Sequence, residues 1–195
     1  MYETRGTMAL ILETDRLLLR NWEEKDFGPY HAMNNDPVVC EYFPDLQTEA
    51  QSRSVITRYR AQEQRDGYSF QPLIERATGA FIGDIGLAKV EFDAGFRGAT
   101  EVGWMMQRQF WGRGYATEMA RALLVHAFDV LGLPEVVAFT VPANARSRRV
   151  MERLGMVQDE AAGFDHPNIA AGHPLRRHVL YRATAPSAQQ AAKPA

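Results

Sequence analysis

Cysteine is nearly absent from this chain of 195 residues: Cys40 stands alone, so no intramolecular disulfide can staple the fold. No apolar run reaches the ~18 residues that a membrane-spanning helix needs. The first eight residues lack the basic-then-apolar order of a secretory signal, which makes the cytoplasm the default address. An excess of one charge is missing as well. Lys+Arg 22 against Asp+Glu 24 leaves a formal net charge of −2, too little to recruit nucleic acid or an anionic membrane through a global field. What is there is a globular composition, 46% hydrophobic and 24% charged. The length suits one domain with a sizeable core and argues against two catalytic domains.

The stretch 183–195 is rich in Ala, Pro and Gln with nothing bulky to bury, and is expected to be a frayed tail. Residues 1–9 read as a polar extension, leaving a single domain over 10–182. Within it, 12–20 alternate apolar and mixed positions as a strand does, and 26–34 read as a short helix closed by Asn35-Asp36-Pro37. Residues 48–64 carry Val55, Ile56 and Tyr59 at helical spacing behind a Thr48/Gln51 capping box. Strands at 68–75, 80–90 and 100–107 follow as an antiparallel meander. After Gly112-Arg113-Gly114, apolar residues from Ala116 to Leu131 recur every three or four positions, a long amphipathic helix ended by Gly132 and Pro134. Residues 136–141 read as a buried β-branched strand. Residues 144–154 read as a helix with Val150, Met151 and Leu154 inward, Arg146, Arg149 and Arg153 outward, and Gly155 as C-cap. Final strands are expected at 156–159 and 177–181.

Gln109-Phe110-Trp111-Gly112-Arg113-Gly114-Tyr115-Ala116-Thr117 joins a strand to the long helix through two glycines. Glycines there let main-chain N–H groups approach an anion, and the helix N-terminus adds about half a positive charge. A pyrophosphate suits such a loop. A dinucleotide fold would need a third glycine where Thr117 stands and an acid at the end of the next strand, where Val141 and Pro142 stand. A Walker loop would need Lys-Ser/Thr after the glycines. What remains is a phosphate cradle built from backbone donors.

Gln109-x-x-Gly112-x-Gly114, preceded by Thr100-Glu101-Val102-Gly103-Trp104-Met105 and followed by Asn144-x-x-Ser147 and Leu154-Gly155-Met156, resembles the acetyl-CoA-binding core of the GNAT superfamily of N-acetyltransferases. Thr14-x-Arg16-Leu17-x-Leu19-Arg20, Asn35-Asp36-Pro37 and Phe81-Ile82-Gly83-x-Ile85-Gly86-Leu87 resemble its RimJ/RimL-type branch. The matches keep the family's order from Thr14 to Gly155. The resemblance implies an α/β (α+β) fold, a mixed, mostly antiparallel sheet flanked by helices and splayed near its centre between the strands at Thr100 and Val136. It implies acetyl-CoA as co-substrate, with the pantetheine arm in that gap. Gln109 would belong to the cofactor site, and the backbone amides of Gly112, Arg113, Gly114, Tyr115 and Ala116 would hold the pyrophosphate. Amides near Met105 and Met106 would bind the pantetheine and the thioester carbonyl, and Asn144 would hydrogen-bond the pantetheine. Asn144 opening a helix is equally an N-cap worth about 1 kcal/mol without any ligand. The two roles are compatible.

Acyl transfer needs a neutral amine. Neutralising a lysine of pKa ~10.4 at pH 7 costs roughly 4.6 kcal/mol, an α-amino group of pKa ~8 about 1.4. Glu101 is the candidate base, because strand alternation puts it on the same face as the small Gly103 and leaves the carboxylate accessible; a surface glutamate paired with an arginine is the bland alternative. Many GNAT enzymes place a tyrosine seven positions after the asparagine, and Met151 stands there instead, which removes the obvious acid for the leaving thiolate. The resemblance offers Ser147 in its place, although a thiol of pKa ~8.5 also leaves unaided.

Arg146, Arg148, Arg149 and Arg153 read as a solvated face or as partners of the CoA ribose phosphate. His166, His173 and His178 fit no common zinc spacing, so no metal is expected. Together with Arg176 and Arg177 they are candidates to cover the acceptor site, and Trp22, Tyr42 and Phe43 are candidates to line it or to pack the core. Cys40 has no recognisable base partner, which disfavours a covalent acyl-enzyme. The expectation is an acetyl-CoA-dependent N-acetyltransferase acting on an amine, a small molecule or a protein N-terminus, with no nucleic-acid or membrane partner and a homodimer as the default assembly. The alternative is an acyl-CoA-binding module with weak or lost catalysis that acts through protein contacts.

Overall fold

A computed structural model describes residues 11–185. The segment expected as one strand over 12–20 is two, β1 (Leu12–Glu13) and β2 (Leu17–Leu19). Thr14 reverses the chain between them: its N–H donates to the Leu17 carbonyl at 2.9 Å, and its hydroxyl accepts from the Leu17 N–H at 3.2 Å. A hydroxyl that binds main chain locally competes with an extended ladder in this way.

Next come α1 (Phe27–Met33) and α2 (Glu49–Asp66). The capping box at the head of α2 is formed in both directions, Gln51 N–H to Thr48 Oγ1 at 3.2 Å and Thr48 N–H to Gln51 Oε1 at 2.7 Å. The meander consists of β3 (Phe70–Glu75), β4 (Phe81–Lys89) and β5 (Thr100–Met106), antiparallel throughout. α3 (Tyr115–Val125) continues as a wider helical turn through Val130, and β6 (Glu135–Thr140), α4 (Ala145–Arg153), β7 (Val157–Asp165) and β8 (Arg177–Thr184) complete the chain.

The eight strands form one sheet in the order β1-β2-β3-β4-β5-β6-β8-β7, antiparallel except for β5 beside β6. That parallel pair is registered at Glu101 and Val137 alone. β5 is committed on its other edge to β4 from Thr100 to Met106, and β6 to β8 from Glu135 to Thr140. Each strand therefore follows its own outer neighbour, and the two part beyond Glu101 and Val137, as the splayed sheet requires. Helices cover both faces. Val102 and Met106 pack with Met119 and Leu123 of α3 and Met151 of α4, while Trp22, Tyr30, Ile56 and Phe81 form the core under α1 and α2.

Two expected boundaries move. β7 continues past residue 159 to Asp165, with a register shift between Asp159 and Phe164 that absorbs the weak strand formers Ala161, Ala162 and Gly163 as a bulge. β8 runs through Thr184, Ala183 is buried, and the Ala185 N–H donates to the Pro134 carbonyl at 3.0 Å. Ordered structure thus crosses the boundary placed at residue 182, because alanines too small to anchor a core of their own fit beside β6. The rest of the expected tail and the N-terminal extension lie outside the described residues. No helix among the described residues is long and apolar enough to cross a membrane.

Candidate active site

The chain leaves β5 through a short 3-10 turn, Arg108–Phe110. Phe110 is buried, and the Trp111 indole N–H donates to the Met106 carbonyl at 2.8 Å, which fastens the loop to the strand it follows. Gly112 (φ 76°) and Gly114 (φ 79°) are both left-handed, a conformation that a Cβ penalises. Gly114 is the N-cap of α3 and brings no side chain to cap it. The main-chain N–H groups of residues 112–117 accordingly donate to no other described residue. A Cβ built on Gly112 would meet nothing within 4 Å, so the space before these donors is open. A row of free amides at a helix N-terminus fits a diphosphate.

The loop is tied to a distant part of the chain. Arg16 donates from NH1 to the Arg113 carbonyl at 3.1 Å and from Nε to Glu118 Oε2 at 2.7 Å, and its guanidinium lies 4.7 Å from the centre of the Tyr115 ring. Thr14 Oγ1 donates to the other Glu118 oxygen at 2.6 Å. Burial raises the Glu118 pKa, but the bonds from Thr14 and Arg16 outweigh it and hold the carboxyl below its usual value. The Tyr115 hydroxyl donates to Glu75 at the end of β3. Arg16 is a residue that sequence reasoning quoted within a motif without giving it a role.

A cavity of about 380 Å³ opens beside this loop, between the end of β5 and α4. Met105, Met106, Gly112, Gly114, Tyr115, Ala116, Asn144 and Ser147, all expected at the site, line it. Gln109 and Arg113 do not. The Gln109 amide donates to Gln107 Oε1 at 3.0 Å, and the Arg113 guanidinium sits 5.4 Å from the Phe110 ring centre, so Arg113 can act there through main chain only. Asn144 performs the capping role: Oδ1 accepts from the Ser147 N–H at 3.1 Å, and Nδ2 donates to Thr140 Oγ1 at 3.0 Å and Ser147 Oγ at 3.1 Å. Arg146, Arg149 and Arg153 line the cavity. Arg148 turns away, donating to the Tyr181 hydroxyl at 3.1 Å and the Pro142 carbonyl at 3.2 Å. Met151 is 2% exposed and belongs to the core against α3, so no acid side chain stands at that position.

Tyr42 and Phe43 line the cavity, whereas Trp22 is core, its indole N–H donating to the Phe70 carbonyl at 2.9 Å. His166 and His178 are drawn into an aromatic cluster with Phe92, Phe139 and Phe164, their own ring centres 5.2 Å apart. His173 accepts the Leu175 N–H at 3.1 Å in the β7–β8 connection, and Arg176 and Arg177 pair with Asp165. None of these five lines the cavity.

Glu101 is half-buried on the face of β5 that it shares with Gly103 and Met105. It is not part of the cavity lining, and no hydrogen bond or ion pair to its carboxyl joins it to another described residue. Burial pushes its pKa up to about 8. Asp84, cross-strand from Met105, is 5% exposed with Oδ1 unpartnered, and burial pushes it up to about 7. Sequence reasoning passed over Asp84, although an acid within the apolar run 81–88 was a signal.

The sequence and the fold that carry this loop and cavity have counterparts among known proteins. A family model described as an acetyltransferase (GNAT) domain matches residues 16–157. YkkB of Bacillus subtilis is 33% identical over 146 residues, 74% of this chain and 84% of its own. A solved GNAT-family acetyltransferase from Bacillus anthracis superimposes with a TM-score of 0.74 at 27% identity, over 90% of this chain and 98% of its own. RimL, a ribosomal L7/L12 α-N-protein acetyltransferase solved in complex with coenzyme A, shares the fold at a TM-score of 0.72 and 16% identity, over 90% of this chain and 98% of its own. With its loop glycines, splayed strands and capping asparagine all inside the matched span, the chain belongs to the GNAT acetyltransferase family, with RimL-type proteins among its structural neighbours.

Proposed function

We propose that the protein is an acetyl-CoA-dependent N-acetyltransferase that moves the acetyl group to a primary amine, of a small molecule or a protein N-terminus, by direct attack within a ternary complex. The observation that carries this reading is the run of unpartnered amides at residues 112–117 beside the cavity that the end of β5, the glycine loop and α4 enclose. The coenzyme A bound to RimL, a protein of the same fold, supports it.

Acetyl-CoA supplies an activated thioester. The amides of residues 112–117 hold its diphosphate, Arg149 and Arg153 on the same cavity wall neutralise the ribose phosphate, and main chain at Met105 and Met106 receives the thioester carbonyl. Preorganised N–H donors at a developing oxyanion are worth about 10²- to 10³-fold each. The amine nitrogen bonds to the carbonyl carbon, and its proton passes by way of water to the ionised form of Glu101, which stands behind the cavity lining. The carbon–sulfur bond breaks, and the sulfur leaves as thiolate, steadied by a hydrogen bond from the Ser147 hydroxyl; the proton held by Glu101 returns through water to the solvent or the thiolate. Asn144 holds that hydroxyl in place. Cys40 is buried, its thiol pushed up to about 11 chiefly by burial, and it stays outside the cavity lining, which argues against a covalent acyl-enzyme. Release of free CoA thiol with a panel of amines tests the reading. Acceptor-dependent release supports it, and tight acetyl-CoA binding without turnover would favour an acyl-CoA-binding module instead.

A further inference from the structure

The chain between α1 and α2 contributes an apolar part of the cavity wall, Val39, Tyr42 and Phe43, which the cavity shares with Met105 and Trp111. Among the described residues no aspartate or glutamate lines the cavity, and its cations are Arg146, Arg149 and Arg153 of α4. A second ammonium group on an acceptor would meet three arginines there. Arg146, nearest the start of α4, differs from the other two in its surroundings. Its guanidinium carbon lies 4.4 Å from the Trp111 ring centre and 5.7 Å from that of Tyr42, and NH2 meets Glu41 Oε2 at 2.7 Å. Through Tyr42 and Glu41, Arg146 is thus tied to the chain between α1 and α2, contacts that Arg149 and Arg153 lack. Both partners of the Glu41 pair are about half exposed, and exposed pairs of this kind contribute at most about 1 kcal/mol. A guanidinium seated over aromatic rings and engaged by one weakly held carboxylate is ready to take another, in the paired geometry that arginine offers a carboxylate.

We propose that Arg146 is a specificity-determining residue of the acceptor end, and that the acceptor is an amino-acid-like amine with an apolar or aromatic body and a free carboxylate close to the amine that is acetylated. This rests on the N-acetyltransferase reading. The carboxylate displaces Glu41 from Arg146, the apolar body lies along Tyr42 and Phe43, and the amine is left to face the thioester.

The test compares phenylalanine and leucine with their amides and with phenethylamine, by thiol release at saturating acetyl-CoA, while calorimetry follows acetyl-CoA binding separately. The expected result is a kcat/KM at least tenfold higher for the free acids than for the amides. Arg146→Gln reduces the acids to the level of the amides, Arg146→Lys restores part of the difference, and the acetyl-CoA dissociation constant moves less than threefold in either variant. Amides used as well as the acids, an unchanged preference in Arg146→Gln, or no turnover of either class by wild-type protein that binds acetyl-CoA would each overturn the proposal and leave the transferase reading standing. Wild-type protein that fails to bind acetyl-CoA overturns both.

Discussion

Glu101 and Val137 form the single registered pair between β5 and β6. Past that pair the strands serve different neighbours, and the cavity lies at the end of β5, walled by Trp104, Met105 and Met106 on one side and by α4 on the other. Glu101 therefore stands at the apex of the splay, where a closed sheet becomes an open one, and its carboxyl sits on the α1/α2 face with no cation to stabilise its charge.

That placement has a pH signature. Burial puts the Glu101 pKa at about 8 in the fold, above the ~4.3 of an unfolded glutamate. A raised carboxyl pKa contributes stability that is complete below about pH 4.3 and is lost as pH climbs to about 8. Glu101→Gln removes the loss, so the variant's advantage in melting temperature grows between pH 5 and pH 8; a gap that stays constant over that range would contradict the assignment. If Glu101 is also the base, wild-type kcat/KM rises through pH about 8, and the variant lacks that rise and is slower by about 10²-fold or more.

Arg16 acts on the phosphate loop from a distance in sequence. Arg16→Ala frees the Arg113 carbonyl and the Glu118 carboxylate, so the loop loses its fastening while its amides remain. The expected result is a three- to tenfold weaker acetyl-CoA affinity with kcat little changed, and a stability loss within about 1 kcal/mol, since the pair is surface-exposed. A drop in kcat at unchanged KM would show that Arg16 serves the chemistry instead.

Asn144→Ala deletes the cap that accepts the Ser147 N–H and the bond that orients the Ser147 hydroxyl. Denaturant unfolding should show a loss of about 1 kcal/mol. Turnover should fall further than Ser147→Ala alone only if Asn144 also binds the pantetheine, so the two variants together separate cap from ligand contact.

Local chemistry was readable in the sequence wherever the partners are close neighbours. Thr48 and Gln51 announce their capping box, Gly112 and Gly114 their loop, and the alternation around Val102 its two faces, because each signal lies within one turn or one strand. The reversal at Thr14 was lost because a hydroxyl bonding three residues ahead leaves the apolar alternation of a continuous strand intact. The length of β7 was lost because Ala161, Ala162 and Gly163 are weak strand formers that bulge out of register between Asp159 and Phe164, where pairing with β8 resumes. At the site, the residues quoted around the glycine loop and at Asn144 and Ser147 do line the cavity, Gln109, Arg113 and Glu101 excepted, but side-chain direction was not legible. Trp22 turned into the core, Arg148 toward Tyr181, and Arg16 reached Glu118 across 102 residues. Contacts of that span depend on how the sheet stacks its layers, which no local pattern encodes.

If the amides of residues 112–117 hold the diphosphate of acetyl-CoA, the sharpest check is calorimetric titration of acetyl-CoA into wild type and Gly114→Val. Gly114 has φ 79° and caps α3, so valine strains the turn that presents the donors, and its Cβ would face the Arg16 guanidinium at 3.7 Å. Circular dichroism establishes that the variant is folded. One acetyl-CoA is expected to bind per wild-type chain, with a dissociation constant at least tenfold higher in the variant, about 1.4 kcal/mol. Equal affinity in a folded variant, or no binding to wild type, would overturn that role for the loop.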